Sequence, residues 1–274
     1  MKNTYSVLMS VYQKEKPEYL RISMESIFTQ SMQTDDFVLI CDGPLGMELD
    51  NVIDEMQLKY GDILHVVRLD KNGGLGQALR IGVKICKNEI IARMDSDDIS
   101  RPYRCEKELE ILNRYPDISI VGGLVEEFSE SLSIVDARRV VPENSEEICL
   151  FAKKRNPFNH PSVMFRKKDV LDAGNYQNVR YMQDYYLWIH MLIKGYKGYN
   201  IQEPLVWMRA DPNLFRRRSG KLYMQIQINL FKYMKNHHFI TYPEYLYSCV
   251  IRVCSSAAPN CMRKLMFEKI LRKH

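Results

Sequence analysis

Residues 63–98 have the sequence ILHVVRLDKNGGLGQALRIGVKICKNEIIARMDSDD, and they decide the fold class. Two apolar runs, 63–69 and 89–94, lie on either side of a helical pattern over 74–86. Apolar strands separated by a helix are typical of a parallel sheet that is buried on both faces. The segment therefore predicts a doubly wound α/β fold, in which ligands bind at the carboxyl ends of the strands.

The same alternation extends toward the N-terminus. Residues 5–11 and 37–41 are strand candidates, and helical patterns over 17–30 and 47–60 follow them. Four parallel strands bring their carboxyl ends to one edge of a sheet. Each end here leads into polar residues, which are Ser10-Val-Tyr-Gln13, Asp42-Gly43, Asn72-Gly-Gly74 and Asp95-Ser-Asp-Asp98. We expect these four groups to gather along that edge.

The pattern changes after residue 100. It predicts helices over 101–115, 145–155 and 183–194, strands over 118–122 and 160–165, and a hairpin within 124–141. The segment 219–274 is predicted to form two or three amphipathic helices broken at Pro243 and Pro259.

Composition excludes several classes of protein. The 274 residues are 46% hydrophobic and 27% charged, which is not the composition of a disordered or collagen-like chain. No stretch has the ~18 consecutive apolar residues of a membrane span, and no secretory signal pattern opens the chain. None of the seven cysteines forms a CxxC pair, so we expect reduced, packed thiols in a cytoplasmic protein.

The positive charge is concentrated at the C-terminal end. Residues 220–274 hold nine Lys or Arg and two acidic residues, whereas the whole chain has a net charge of +5. A basic segment on a near-neutral body suggests an anionic surface as partner, either nucleic acid or membrane.

The carboxylates of residues 95–98 are the sharpest chemical signal. Asp95 and Asp97 lie at i and i+2, so a strand would project them from the same face. Two such carboxylates repel each other unless a cation lies between them, and Mg²⁺ or Mn²⁺ prefers oxygen ligands. The alternative is a solvated acidic loop in which Asp97 or Asp98 caps the next helix.

The glycine-containing turn after the third strand suggests an anion site. Backbone N–H groups at Asn72, Gly73 and Gly74 could approach a phosphate at a helix N-terminus, and Arg80 could reach a diphosphate. The alternatives are a tight βα turn and a solvated arginine. Asp42 is either a turn former or a hydrogen-bond partner of a nucleobase, beside which Tyr12 and Glu15 could lie.

Two further groups occur in the second half. Asp184 begins a predicted helix, where it is either favoured by the helix dipole or acts as a general base. Tyr185, Tyr186 and Trp188 belong either to the core or to a sugar-stacking surface, and His160 is expected to be structural. The basic loop 209–220, which contains Arg217, is either a solvated charge cluster or a clamp on a diphosphate.

Together these residues resemble family 2 glycosyltransferases of the GT-A fold, over about residues 5–220. The resemblance rests on six motifs in the family's order: Ser10-Val-Tyr, Cys41-Asp-Gly, Asn72-Gly-Gly-Leu-Gly, Asp95-Ser-Asp-Asp, His160-Pro-Ser-Val-Met-Phe-Arg and Gln183-Asp-Tyr-Tyr-Leu-Trp. The segment 209–220 is similar to the branch that builds bacterial exopolysaccharides, such as amylovoran.

The resemblance implies inverting transfer from a nucleotide sugar, most often a UDP-sugar, to a saccharide acceptor that can be lipid-linked. Asp42 would contact uracil, Asp95 the ribose or sugar, with Ser96 beside it, and Asp97 would hold Mn²⁺ or Mg²⁺. Asp184 would be the general base. Gln183 and Tyr186 depart from the family's usual acidic residues, and Tyr186 leaves an acceptor contact in doubt.

The resemblance also implies the domain organisation. A GT-A domain would span 1–218, with a nucleotide-binding half over 1–100 and an acceptor-binding half over 101–218. A basic amphipathic helical tail, 219–274, would follow. Its apolar positions (Leu222, Ile226 and Leu230; Leu265, Ile270 and Leu271) suggest either contact with the anionic inner face of the cell membrane or packing on the catalytic domain.

Two other functions stay open at this stage. The basic tail could bind nucleic acid by stacking bases on Tyr223, Tyr233 and Tyr247, although the chain has no RRM, KH or zinc pattern. A nucleotidyltransferase also uses carboxylates and a metal on an α/β sheet. It would be expected to carry a Gly-rich, basic motif after the first strand, which Ser10-Val-Tyr-Gln-Lys lacks.

Overall fold

A computed structural model describes residues 4–129, 131–210 and 220–257. The strands are β1 Ser6–Val11, β2 Asp36–Cys41, β3 Leu64–Arg68, β4 Ile90–Asp95, β5 Ile99–Ser100, β6 Ile118–Phe128, β7 Ala137–Arg139, β8 Met164–Arg166 and β9 Lys197–Arg209. The α-helices are α1 Pro17–Phe28, α2 Met47–Tyr60, α3 Leu75–Ile85, α4 Arg104–Arg114, α5 Ser145–Ala152, α6 Lys167–Asp172, α7 Gln183–Ile193, α8 Lys221–Asn236 and α9 Tyr242–Ala257. Short 3₁₀ helices span Gly61–Ile63 and His160–Ser162.

One mixed sheet has the strand order β3-β2-β1-β4-β8-β6-β9-β5, with β7 paired to β6. The first four strands are parallel, as predicted. Beyond β4 the directions mix, because β8 is antiparallel to both β4 and β6, whereas β9 is parallel to β6. The carboxyl ends of β1 to β4 therefore lie along one edge, as expected.

Both faces of the sheet are covered, which explains the uninterrupted apolar strands. Along β1, Val7, Met9 and Val11 pack under α1, α2 and α4 in one core cluster, and Leu8 packs under α3 and α7 in the other. Successive strand residues point to opposite faces, so each must be apolar when helices cover both. The three cysteines at 41, 86 and 105 are buried free thiols, as predicted for packed side chains.

Several elements differ from the sequence prediction, and strand β5 and helix α6 are among those that it did not contain. Residues 160–165 are not one strand, because Pro161 lies in a 3₁₀ turn and β8 begins only at Met164. Strand β6 runs on to Phe128, and with β7 it forms the predicted hairpin. Strand β9 was not predicted; it pairs along β6 over most of its length.

The described part of the tail packs on the body of the protein. Leu230, Phe231 and Met234 of α8 are buried in the same cluster as α7, and Ile226 is also buried. Ile226 and Leu230, which were candidates for a membrane-facing stripe, therefore face the protein, while Leu265, Ile270 and Leu271 lie outside the described residues. Among the helices described, none combines the length and apolar character that crossing a bilayer requires.

Candidate active site

The carboxyl ends of the four parallel strands bring the residues that were predicted to bind the nucleotide sugar to the same edge of the sheet. In the register of the sheet, Ser10 pairs with Asp95, Val11 with Cys41, and Cys41 with Arg68. The residues that follow these positions therefore emerge side by side. This is the arrangement that the switch-point rule predicts.

Asp42 ties the end of β2 to the turn that follows β3. Its side chain is buried, and Oδ1 and Oδ2 accept hydrogen bonds from the N–H groups of Gly73 (2.7 Å) and Gly74 (2.9 Å). The amide of Asn72 donates to the Asp42 carbonyl oxygen at 2.9 Å. Gly43 makes this approach feasible, because it has φ of 88° and a Cβ there would lie 2.6 Å from the Asn72 nitrogen.

This contact bears on the two interpretations of the glycine turn, a phosphate site or a tight βα turn. The N–H groups of Gly73 and Gly74, which were candidates for a phosphate contact, are paired here with a carboxylate of the protein. The physical reason is that a buried carboxylate needs donors, and these two N–H groups are within its reach.

Asp95 is compensated by a residue on its own strand. The guanidinium of Arg93 is buried and forms a bidentate ion pair with Asp95, in which Nη1 donates to Oδ2 and Nη2 donates to Oδ1. Positions i and i+2 of a strand share a face, so this pair follows from local geometry. Arginine at 93 was not singled out from the sequence, although this spacing could have found it.

Asp98 is held by a residue far away in the sequence. Its Oδ1 accepts a 2.8 Å hydrogen bond from the backbone N–H of Arg209, at the end of β9. The Arg209 guanidinium donates to the Asp97 carbonyl oxygen and lies 3.7 Å from the ring centroid of Tyr19. The end of strand β9 thus contacts the segment that carries Asp97 and Asp98, and this contact joins parts of the chain that are far apart in the sequence.

Burial and neighbouring negative charges disfavour the ionised form of both Asp97 and Asp98. Burial, followed by the charges of Asp95 and Glu15, raises the pKa of Asp97 to about 7. Burial, followed by the charges of Asp97 and Asp95, raises the pKa of Asp98 well above its ordinary value.

Carboxylate oxygens of Asp95, Asp97 and Asp98 lie within 4.8 Å of one another. Across the described residues, this is the one group of at least three His, Cys, Asp or Glu side chains that is close enough to hold a metal ion. Clustered oxygen ligands with excess negative charge suit Mg²⁺ or Mn²⁺, so the residues fit such a cation.

The other predicted donor-site residues lie around this cluster. Ser96 donates a 2.6 Å hydrogen bond to Oε2 of Glu15, which connects the ends of β1 and β4. Tyr12 exposes 41% of its surface beside them. Arg80 of α3 donates to the Tyr176 carbonyl oxygen at 3.3 Å. Arg217 falls outside the described residues.

Helix α3 and the start of α7 touch each other. A Cβ at Gly76 would clash with the carbonyl oxygen of Gln177 and would lie 3.4 Å from Cβ of Gln183. Glycine at 76 therefore permits close packing of the two segments. Gln183, the residue before Asp184, thereby lies next to α3, the helix that follows the turn at 72–74.

The carboxylate of Asp184 is oriented by a side chain that the sequence did not indicate. Nδ2 of Asn156 donates to Oδ2 of Asp184 at 2.6 Å. Tyr181 and Met182, just before the helix, have φ of 68° and 55°, a left-handed conformation that is costly for non-glycine residues. Such strain is common at functional sites, and here it sets the direction in which α7 starts.

The aromatic residues near Asp184 belong to the core. Trp188 is fully buried and packs against the rings of Phe158, His160 and Tyr176, so it is not a surface for stacking a sugar. Nε2 of His160 and the hydroxyl of Tyr176 are 2.9 Å apart, in agreement with a structural histidine. Tyr185 is also buried.

Tyr186 is half-buried and donates to the Ile226 carbonyl oxygen of α8 at 3.0 Å. It is thereby a contact between the tail and the body. Burial raises the pKa of the Tyr176 hydroxyl; the charge of Arg93 lowers this pKa, and the charges of Asp184 and Asp95 raise it further.

The sequence matches known glycosyltransferases along almost its whole length. An uncharacterized glycosyltransferase of Haemophilus influenzae is 35% identical over 269 residues, which cover 98% of this chain and 99% of the relative. The amylovoran biosynthesis glycosyltransferase AmsE of Erwinia amylovora is 34% identical over 270 residues, covering 97% and 98%. The UDP-Gal:alpha-D-GlcNAc-diphosphoundecaprenol beta-1,3-galactosyltransferase of Escherichia coli is 33% identical over 269 residues, covering 98% and 97%.

Solved structures share the fold. TarS 1–349 of S. aureus, in complex with UDP-GlcNAc, superposes with a TM-score of 0.66 at 14% identity, covering 91% of this chain and 72% of that chain. The mannosyltransferase PcManGT of Pyrobaculum calidifontis, in complex with GDP-Man and Mn²⁺, gives 0.65 at 11% identity, covering 97% and 79%. The predicted GT-A fold, a mixed sheet flanked by helices with a helical C-terminal segment, is confirmed. Residues 6–174 match the family described as Glycosyl transferase family 2, and the chain belongs to that family.

Proposed function

We propose that the protein is a metal-dependent, inverting glycosyltransferase that moves a hexose or N-acetylhexosamine from a UDP-sugar to a lipid-linked saccharide. The observation that carries this proposal is the cluster of three carboxylates at and after the end of β4, which suits a cation; Asp184 at the start of α7 supplies a separate carboxylate. Burial and neighbouring charges raise the pKa of Asp97 in the cluster to about 7, and Asp184 accepts a hydrogen bond from Asn156.

The donor assignment combines chemistry with the relatives. Uracil offers a single N–H donor between two carbonyl groups, and the buried carboxylate of Asp42 is an acceptor for such a group. Guanine also offers N–H donors, so Asp42 alone does not discriminate between the bases. The Escherichia coli relative is named for UDP-Gal and TarS binds UDP-GlcNAc, which favours UDP over the GDP of PcManGT.

The acceptor assignment follows the same relative. Its name states a GlcNAc-diphosphoundecaprenol acceptor, and AmsE is named for amylovoran biosynthesis. We place the donor in the half formed by residues 1–100 and the acceptor in the half formed by 101–218. Synthesis of a capsule, exopolysaccharide or O-antigen at the inner face of the membrane would use such a substrate.

The reaction needs one bond to form as another breaks. Asp184 takes the proton of the acceptor hydroxyl while that oxygen attacks the anomeric carbon from the face opposite the diphosphate. The bond from the anomeric carbon to the diphosphate breaks, and the configuration inverts. A divalent cation at Asp97 and Asp95 would neutralise the charge that develops on the departing diphosphate.

Incubation with a panel of UDP- and GDP-sugars, Mn²⁺ and a GlcNAc-diphospholipid acceptor tests the proposal. We expect transfer from a UDP-sugar and, by proton NMR of the product, an inverted anomeric centre. A chain that transfers none of these sugars, or that binds single-stranded DNA in preference to UDP, would contradict the proposal. Incorporation of nucleotide rather than sugar would point to a nucleotidyltransferase.

Replacement of Asp42 by Ala is expected to weaken UDP binding by about 1–3 kcal/mol, the cost of losing hydrogen bonds to a charged group. Calorimetry with UDP measures it, and Asp62→Ala, at an exposed position, is the control. UDP methylated at N3 has no N–H group there, so it tests the contact between Asp42 and the base separately from the hydrogen bonds by which Asp42 holds the glycine turn. If Asp42 accepts from the base, the variant and the methylation should not be additive. Unchanged UDP affinity would remove Asp42 from the site.

A further inference from the structure

Helix α9 carries an apolar stripe on its outer face. Tyr242, Leu246, Val250 and Val253 follow one another at helical spacing, and Tyr247 adjoins them. Each of the five side chains is 45–64% exposed. The outer face of a surface helix is ordinarily polar, so a stripe of this kind marks an interaction site. We call these five residues the α9 stripe.

The opposite face of α9 is anchored to the protein, which fixes the direction of the stripe. Nη2 of Arg252 donates to the Lys154 carbonyl oxygen at 2.6 Å, and its guanidinium lies 4.5 Å from the ring centroid of Phe231. Glu244 accepts from Thr241 and pairs with Lys153 at 3.8 Å. Glu244 and Arg252 are the charged residues of 242–253, and both are engaged in these contacts.

The stripe is connected to the proposed base through a short segment. Lys153 and Lys154 contact α9, and two residues later Asn156 orients Asp184. The hydroxyl of Tyr185, next to Asp184, donates to the Ala152 carbonyl oxygen. The segment 152–156 thus has α9 on one side and the start of α7 on the other.

We propose that the α9 stripe docks on an anionic lipid bilayer, a proposal that rests on the lipid-linked acceptor of the proposed function. The apolar side chains enter the boundary between headgroups and acyl chains, which removes them from water. Charge complementarity comes from basic residues that adjoin α9, which are Lys153, Lys154 and Lys235. Residues 220–257 hold four Lys or Arg and one acidic residue. Docking would hold Asp184 near the membrane surface, where the saccharide of a lipid-linked acceptor begins.

The α9 stripe differs from the positions expected from the sequence. Of those, Ile226 and Leu230 are buried, Leu222 is 50% exposed, and Leu265, Ile270 and Leu271 lie outside the described residues. A second copy of the chain and the segment 258–274 are the other occupants that the experiment must separate from a bilayer.

Flotation of the full chain with phosphatidylglycerol-containing vesicles tests the proposal without any enzymatic activity. We expect the parent to float with these vesicles and much less with phosphatidylcholine alone. The double variant Leu246→Gln, Val250→Gln should bind at least about tenfold more weakly, because two large apolar side chains no longer leave water. Leu58→Gln on α2, where Leu58 is 88% exposed, is the matched control and should bind like the parent.

Several outcomes would overturn docking. One is a parent that does not float with anionic vesicles at low salt, and another is a double variant that floats equally well. A chain ending at residue 257 that loses flotation while the double variant keeps it would assign binding to the basic segment instead. Sedimentation that shows a dimer broken by the double variant would assign the stripe to a second copy.

Transfer to a water-soluble acceptor with a short lipid separates this proposal from the proposed function. The double variant should transfer to that acceptor at the parent's rate and lose activity on a long-chain acceptor in vesicles. If the parent transfers sugar to neither acceptor, the proposed function fails while flotation still reports on docking.

Discussion

Asp97→Asn is expected to abolish transfer while leaving the fold intact. If the variant loses about 4 kcal/mol of the charge stabilisation at the departing diphosphate, the rate of transfer falls about a thousandfold. Folding should not suffer, because the change removes a buried negative charge that Asp95 and Glu15 repel. Thermal unfolding should therefore occur at or above the temperature of the parent.

Electron paramagnetic resonance measures Mn²⁺ binding directly, and this measurement does not depend on turnover. The variant should bind Mn²⁺ far more weakly than the parent. Asp117→Asn, at an exposed residue paired with Lys197, loses the same charge away from the site and should leave both binding and transfer unchanged. Full activity of the parent in EDTA would refute a metal role for Asp97.

Asp184→Asn is expected to bind UDP-sugar normally and to lose about 10²–10⁴ in turnover, the usual contribution of general base catalysis. Asparagine keeps the size of the side chain and an oxygen that can accept from Asn156, but it cannot take a proton. The loss should therefore appear in kcat, whereas the affinity for UDP-sugar measured by calorimetry stays close to that of the parent.

Two results would count against Asp184 as the base. A variant that turns over like the parent would show that Asp184 only begins a helix. A product that retains the anomeric configuration of the donor would show that single displacement is the wrong mechanism. Asn156→Ala is the companion variant: it removes the orienting hydrogen bond but leaves the carboxylate, so its loss in kcat should be smaller.

The sequence predicted the structure of residues 1–100 well, because the strands and helices of this half follow from local sequence patterns. Each strand of β1 to β4 is an apolar run, each is followed by a helical pattern, and the strand ends carry the polar motifs. The rule that parallel strands share an edge then placed Asp42, the turn at 72–74 and Asp95 together without knowledge of any contact. The arrangement around residue 160 was missed because Pro161 interrupts an otherwise apolar run with a 3₁₀ turn.

The surroundings of the predicted residues came from contacts between distant segments. Arg93 and Asp95 are two residues apart, and their pairing could have been inferred from strand geometry. Asp98 and Arg209 are 111 residues apart and Asn156 and Asp184 are 28 apart, so no local pattern relates them. The same holds for the tail: its helices were predicted from periodicity, but which apolar face is buried depends on where the tail packs.

By itself, the sequence determined the parallel start of the sheet, the helices that alternate with its first four strands and the row of polar strand ends, because periodicity and turn chemistry are local properties. Only the tertiary structure decided that Asp42 pairs with the glycine turn and that burial and neighbouring carboxylates raise the pKa of Asp97. It also decided that Trp188 is core and that the exposed apolar face belongs to α9. Burial, charge compensation and hydrogen-bond partners depend on which surfaces meet when the chain folds, and that information is distributed over the whole sequence.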